Sequence, residues 1–232
     1  MNTELKQALD SKSVKRWNKS YEISKTDTLW GDNSVPFVKK AIKYFKNDQG
    51  TFYLDLPCGD GRNSVRLAQN LPTIVGADSS SNALLLAEKR IRSHNISNCL
   101  LSHTNIFKTN FFNNQFDGIF CWDILGHLVK VNKAIIELLR IIKPQRRLIG
   151  SLFSIGDSTR GENMQSLGHE EYIFDKKYYF KYYEHSDVIS LLKNFEAKII
   201  LLEPISWREP PHEGYREYSH DHESWVFVIE KN

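Results

Sequence analysis

Cysteine is scarce in this chain of 232 residues: Cys58, Cys99 and Cys121 are an odd number at wide spacing, with no CxxC pair. That pattern supports neither a disulfide framework nor a zinc knuckle, and it suits reduced thiols in a cytoplasm. Long apolar runs are missing too. No stretch approaches the roughly 18 to 20 residues that span a bilayer, and residues 1–19 are polar and charged without an apolar leader core. No membrane association is expected, and the expected location is cytoplasmic. Charge of one sign is also lacking: the net charge is +3, and the lysines are spread along the chain instead of forming a block, which argues against a nucleic-acid partner. No repeat, low-complexity tract or Pro/Gly/Ser linker divides the sequence. What remains, 41% hydrophobic and 25% charged residues, is the composition of one globular domain.

Short apolar β-type runs alternate with amphipathic stretches, the pattern of a parallel sheet covered by helices on both faces. Strands are expected over Thr51–Leu56, Thr73–Ala77, Cys99–Ser102, Phe116–Trp122, Arg147–Phe153, Ala197–Leu202 and Trp225–Glu230. Helices are expected over Thr3–Trp17, Val35–Phe45, Asn63–Gln69, Ser80–His94, Asn132–Ile142 and Ser186–Lys193. No helix separates the last two strands, so they should form an antiparallel hairpin joined by a loop over Glu203–Ser224. The expected fold is therefore α/β, with a Rossmann-like seven-stranded, mostly parallel sheet and a C-terminal antiparallel hairpin.

The run Tyr53-Leu54-Asp55-Leu56-Pro57-Cys58-Gly59-Asp60-Gly61-Arg62-Asn63 carries a strand into a two-glycine turn and then a helix. Glycine there permits positive φ and close approach of the backbone to a ligand. A second acid, Asp78, ends the next strand 17 residues beyond Gly61, where a carboxylate can accept both hydroxyls of a ribose. The same residue could instead cap the following helix. By themselves these features serve NAD and S-adenosylmethionine alike.

Together, Leu-Asp-Leu-Pro-Cys-Gly-Asp-Gly-Arg and Val-Gly-Ala-Asp resemble motifs I and II of class I S-adenosylmethionine-dependent methyltransferases. The likeness continues through Thr104-Asn105-Ile106, Phe116-Asp117-Gly118-Ile119-Phe120-Cys121-Trp122-Asp123 and Ile142-Lys143-Pro144, and so covers residues 51–154 in order. It implies S-adenosylmethionine as cofactor, held by Asp55, Pro57, Cys58, Gly59, Gly61 and Asn63 at the turn. Asp78 and Ser79 would meet the ribose, Asn105 and Ile106 the adenine, and Cys121 the wall at the end of strand four. Two departures stand out: Pro57 replaces the usual glycine, removing an N–H, and Asn105 replaces the commoner Asp. Trp17, Tyr21 and Trp30-Gly31 resemble the N-terminal lid of the thiopurine and tellurite-resistance groups, where an aromatic ring near a sulfonium gains a cation–π term. Trp17 and Tyr21, at i and i+4, could equally form the apolar stripe of a helix. The resemblance divides one domain into a helical lid (1–48), a cofactor core (49–154) and a substrate-side region with the hairpin (155–232).

Methyl transfer is an in-line displacement, so alignment matters most and a general base is optional. Candidates at the carboxyl ends of the strands are Asp123 with His127, and the hairpin loop with Glu209, His212, Tyr215, Arg216, His220 and His222. Three of the eight histidines fall in that loop. His220 is the preferred base and His127 the next. His222 shares a face with His220 in an extended chain, as a base-and-orienter pair or as chelators of a divalent ion, and no metal is assigned. Asp123, His212, Tyr215 and Arg216 are the substrate-binding candidates, Arg216 through its bidentate fork. The stretch Lys177–Tyr183 is expected to be an edge strand and helix entry lining the substrate pocket. The expected activity is methylation of a small molecule; a NAD-dependent Rossmann oxidoreductase and a non-catalytic S-adenosylmethionine-binding module are the alternatives.

Overall fold

The structure is a computed structural model that describes residues 9, 14–22, 28–175, 178–211 and 217–232. Among these residues ten strands form one sheet whose main body runs β3-β2-β1-β4-β5-β10-β9. These are β1 (Phe52–Asp55), β2 (Thr73–Asp78), β3 (Cys99–His103), β4 (Phe116–Cys121), β5 (Ile142–Ser154), β9 (Ala197–Glu209) and β10 (His220–Lys231). The first five pair in parallel, and β10 runs antiparallel to both β5 and β9. Each of the seven expected strands is present.

Alternation along the strands sends side chains to two cores. Leu54, Ile119 and Leu148 lie on one face, while Tyr53, Phe120 and Ile149 lie on the other, as the period of two requires. Helix α1 (Val38–Asn47) buries Val38, Ala41, Ile42 and Phe45, an i, i+3, i+4, i+7 stripe, against the second face. Helix α4 (Val131–Ile141) buries Ala134, Ile135, Leu138 and Ile141 against the first. Between them lie α2 (Arg62–Ala68) and α3 (Ser81–Ser93), which follow β1 and β2. Helix α5 (His185–Leu192) precedes β9. A further helical segment spans 14–22, past the expected end at Trp17.

The hairpin is longer than expected. Residues 203–209 and 220–224 were expected in the loop, yet Glu209 pairs with His220 and Pro204 with Trp225. Proline is tolerated because β9 is an edge strand, and the charges at Glu203 and Arg208 disguise a segment that is solvated on its open side. Three strands were not expected as such: β6 (Met164–Gly168), β7 (Glu171–Phe174) and β8 (Tyr178–Tyr183) form an antiparallel meander. Strand β8 is therefore internal, not an edge. It pairs with β7 and, through Phe153↔Tyr182 and Ser154↔Tyr183, with the end of β5. Because β4 stops at Cys121 while β5 continues to Ser154, β8 takes up the edge that β4 vacates. The meander thus stands at the carboxyl edge of the sheet, beside the β1 turn.

Candidate active site

The turn after β1 is built by backbone bonds to β2. Cys58 N–H donates to Ala77 O (2.8 Å), and Gly61 N–H donates to Cys58 O (3.0 Å). Gly61 has φ +84°, and a Cβ there would stand 3.1 Å from Ala87 Cα, so the helix start needs glycine twice over. Asp78, buried at the end of β2, closes the arrangement: Gly59 N–H donates to Oδ2 (2.9 Å) and Ser80 N–H to Oδ1 (2.8 Å). Burial raises its pKa against those backbone bonds. Each carboxylate oxygen keeps a further lone pair for a ligand.

Asp60, between the glycines, organises what lies above them. Its Oδ2 accepts from Thr28 Oγ1 (2.7 Å), Leu29 N (3.0 Å) and Arg90 Nη2 (3.3 Å). Arg62 donates to Trp30 O (2.8 Å) and forms a buried ion pair with Glu209 (3.2 Å), itself bonded by Trp207 Nε1 (2.9 Å). The segment 28–31 is thereby clamped over the turn. Glu209 works as a structural tie, not as a free group on the hairpin.

One cavity joins the turn to the meander. Its empty space, with the open mouth counted, is about 1310 Å³. Pro57, Cys58, Gly59, Asn63, Asp78, Ser79, Asn105 and Ile106 line it, as do Trp17, Trp30, Asp123, His127, His220 and His222. Asp55, Gly61 and Cys121, expected to hold the cofactor, are not among the residues that line the cavity. Asp55 and Cys121 lie buried beneath the turn, where Ser64 Oγ donates to Asp55 (2.5 Å), and Gly61 faces Ala87. His212, Tyr215, Arg216 and Lys177 lie outside the described residues. Phe180, within the stretch expected to line the substrate pocket, lines the cavity; Trp122 and Phe153 line it too, and as ordinary strand residues these two gave no signal in the sequence.

Burial lifts the Asp55 carboxyl to about 7, against the Ser64 bond that lowers it and with a further rise from Asp78. Its unfolded value is about 3.9, so between these two values the folded chain holds more protons than the unfolded chain. The contribution of Asp55 to stability therefore falls as pH rises through that window. Asp55→Asn is expected to remove this slope, read as the difference between urea midpoints at about pH 4.5 and about pH 8; an unchanged difference would rule the account out.

At the far end, His127 donates Nδ1–H to Tyr179 O (2.8 Å), and its ring meets Trp17, Phe153 and Phe180 edge-on at centroid distances of 5.3, 4.9 and 4.4 Å. Burial depresses its pKa to about 4, against the Tyr179 bond. Asp123 sits at φ +52°, with Ser151 Oγ accepting its N–H (2.9 Å), and burial raises its carboxyl to about 6 although His222 and Arg62 pull it down. His222 contacts Asp157 Oδ2 through Nδ1 (2.8 Å) and His220 Nε2 through Nε2 (3.0 Å). Asp157, 65 residues away in sequence, had no local signal. Burial would raise its carboxyl, but its bonds from His222 and Thr159 hold it below the usual range.

The residues present fit S-adenosylmethionine. Among the described residues three carboxylates, Asp60, Asp78 and Asp123, line the cavity with a single arginine, Arg62, already paired, a balance suited to a ligand with two cationic centres. Asp60 Oδ1 and Trp122 Nε1 are buried without a hydrogen-bond partner among the described residues, one acceptor and one donor available to an amino-acid group.

A family model described as a methyltransferase domain matches residues 47–187. Among curated proteins, the demethylmenaquinone methyltransferase of Listeria welshimeri is 26% identical over 117 residues, covering 49% of this chain and 50% of that protein. The 2-phytyl-1,4-naphtoquinone methyltransferase of Nostoc sp. is 29% identical over 139 residues, covering 58% of each. The chain spans about half the length of these curated relatives. A solved methyltransferase-type structure from Bacillus halodurans superposes with a TM-score of 0.64 at 14% identity, covering 83% of this chain and 99% of that one, a likeness of fold. With the matched region running from the end of α1 to the start of α5, the chain belongs to the methyltransferase domain family, and S-adenosylmethionine is its cofactor.

Proposed function

We propose that this protein transfers a methyl group to a planar, largely apolar small molecule bearing an acidic O–H or C–H, of the phenol or quinol kind. The observation that carries this reading is the far end of the cavity. Trp17, His127, Phe153 and Phe180 form an aromatic wall there, and the one arginine lining the cavity among the described residues is held by Glu209. A phosphate or carboxylate acceptor would ask for an uncommitted cation. An aromatic ring asks for such a wall. The naphthoquinone and menaquinone names of the relatives point the same way.

When bound, S-adenosylmethionine supplies an electrophilic methyl group on a sulfonium. In this reading Asp78 binds the ribose hydroxyls, Asn105 and Ile106 flank the adenine, and Asn63 and Asp60 meet the amino-acid end. Trp17, Tyr21 and Trp30 form a water-excluding aromatic wall, tied by the Trp30 Nε1 bond to Tyr21 Oη (2.9 Å). His127 is the hydrogen-bond acceptor for the departing proton, in preference to His220, whose Nε2 is turned toward His222.

The test is transfer of isotope-labelled methyl from the cofactor to a panel of naphthols, dihydroxynaphthalenes, aliphatic amines and phosphorylated amines. Label is expected in the hydroxylated aromatics. Label confined to the amines or phosphorylated amines would overturn the acceptor class.

A further inference from the structure

The connection from β3 to β4 presents an apolar ring to water, which methyl transfer alone leaves unexplained. Phe112 is 81% exposed, yet the loop that carries it is fixed. Its own N–H donates to Gln115 Oε1 (2.8 Å), and Arg140 holds both neighbours by donating to Phe111 O (3.0 Å) and Asn113 Oδ1 (2.7 Å). Thr109 is tied down as well, its N–H and hydroxyl both donating to Glu137 Oε1 at 2.7 Å. The loop is thereby laid along α4, with the Phe112 ring on the outside. Ile136, 59% exposed, belongs to the same face of that helix: Lys130, Lys133, Ile136 and Arg140, at steps of three, three and four residues, form one stripe. Lys108 adjoins it beside Thr109. Glu137 is committed to Arg140 and Thr109, whereas Lys108, Lys130 and Lys133 are exposed and have no acidic partner among the described residues. Neither 104–116 nor 124–136 contains an acidic residue. The face is therefore apolar at its centre and of one charge around it.

We propose that this face docks on the surface of an anionic phospholipid bilayer, with Phe112 and Ile136 entering the boundary between headgroups and acyl chains and the three lysines lying among the headgroups. Charge decides the occupant. An apolar partner would bury the lysines without a counter-charge, which is costly, whereas an anionic headgroup layer matches them and rewards each one. Apolar side chains ringed by lysine are the pattern of an interfacial contact. The lack of a bilayer-spanning run, from which no membrane association was expected, speaks against a crossing helix and not against contact with the surface. The face also adjoins the cavity through both of its arms: Phe107, directly before Lys108, and Leu128, two residues before Lys130, line the cavity wall. An apolar acceptor of the class proposed above partitions into a bilayer, so docking would bring the cavity to its source. The docking itself is measured without any acceptor and stands or fails separately from that reading.

The experiment is co-sedimentation of the full chain with vesicles of phosphatidylcholine mixed with phosphatidylglycerol, and with vesicles of phosphatidylcholine alone. The wild type is expected to bind the mixed vesicles, to bind the neutral ones far less, and to be released by salt. Phe112→Ser should raise the half-saturating lipid concentration about tenfold. Lys130→Gln with Lys133→Gln should raise it about 25-fold, about fivefold for each lysine removed. Unchanged S-adenosylhomocysteine binding in each variant shows that it has folded. Failure of the wild type to bind the mixed vesicles would overturn the proposal, as would equal binding to neutral ones. Binding that the lysine changes weaken but Phe112→Ser leaves untouched would reduce the contact to charge alone and overturn the docked face. Self-association abolished by Phe112→Ser, without vesicle binding, would give the face to a second copy of the chain and overturn it equally.

Discussion

Asp78→Ala is expected to weaken binding of S-adenosylmethionine and S-adenosylhomocysteine by roughly a hundredfold or more, read by calorimetry on the purified protein. The carboxylate accepts Gly59 N–H and Ser80 N–H on its inner side and would accept two ribose hydroxyls on its outer side. Hydrogen bonds to a charged group are each worth about 1.5–3 kcal/mol, and a factor of ten is about 1.4 kcal/mol. Losing one such bond outright costs tenfold or more, and losing both exceeds a hundredfold. The Gly59 amide adds to the loss, because without its acceptor the turn that frames the ligand is no longer fixed. Asp78→Asn keeps one acceptor oxygen and should fall between wild type and alanine. A dissociation constant for Asp78→Ala within about threefold of wild type would sink the ribose assignment.

How much of this was legible in the sequence depended on how local the physics is. Strands β1, β2 and β4 are buried on both faces, so Leu54, Val75 and Ile119 stand in apolar runs that need no partner to be recognised. The turn was legible for the same reason, since glycine spacing and the acid at Asp78 are fixed by backbone geometry within one β-α-β unit. Strands β6 and β7 were not: Gln165 and Ser166 pair with Ile173 and Tyr172 of β7, and Glu171 with Lys181 of β8, so pairing and not an apolar pattern holds them. Asp60 read as one polar turn residue, because its partners Thr28 and Leu29 are 32 and 31 residues away. Asp157 was invisible beside the histidine pair it supports. His127 was read as the second choice of base. Only the meander, which brings Tyr179 O and Phe180 to its ring, shows which nitrogen is committed and which is open.

His127→Ala is expected to lower kcat by about 10²- to 10⁴-fold, the range for removing a positioned proton acceptor, while leaving the dissociation constant of S-adenosylhomocysteine unchanged. With Nδ1–H given to Tyr179 O, Nε2 is the one ring nitrogen left for an acceptor. Burial that lowers the pKa to about 4 keeps that nitrogen unprotonated at neutral pH. The rate should therefore lose this contribution as pH falls through about 4, and above that value the His127 contribution should be fully present and independent of pH. The same shift has a stability sign. The unfolded histidine titrates near 6.5, so between about 4 and 6.5 the unfolded chain binds more protons, and the contribution of His127 to stability rises with pH across that window. A histidine that is only a packing element would alter stability in this sense without moving kcat. If kcat of the folded His127→Ala protein stays within about threefold of wild type, His127 fills space in the aromatic wall and the proton leaves by another route.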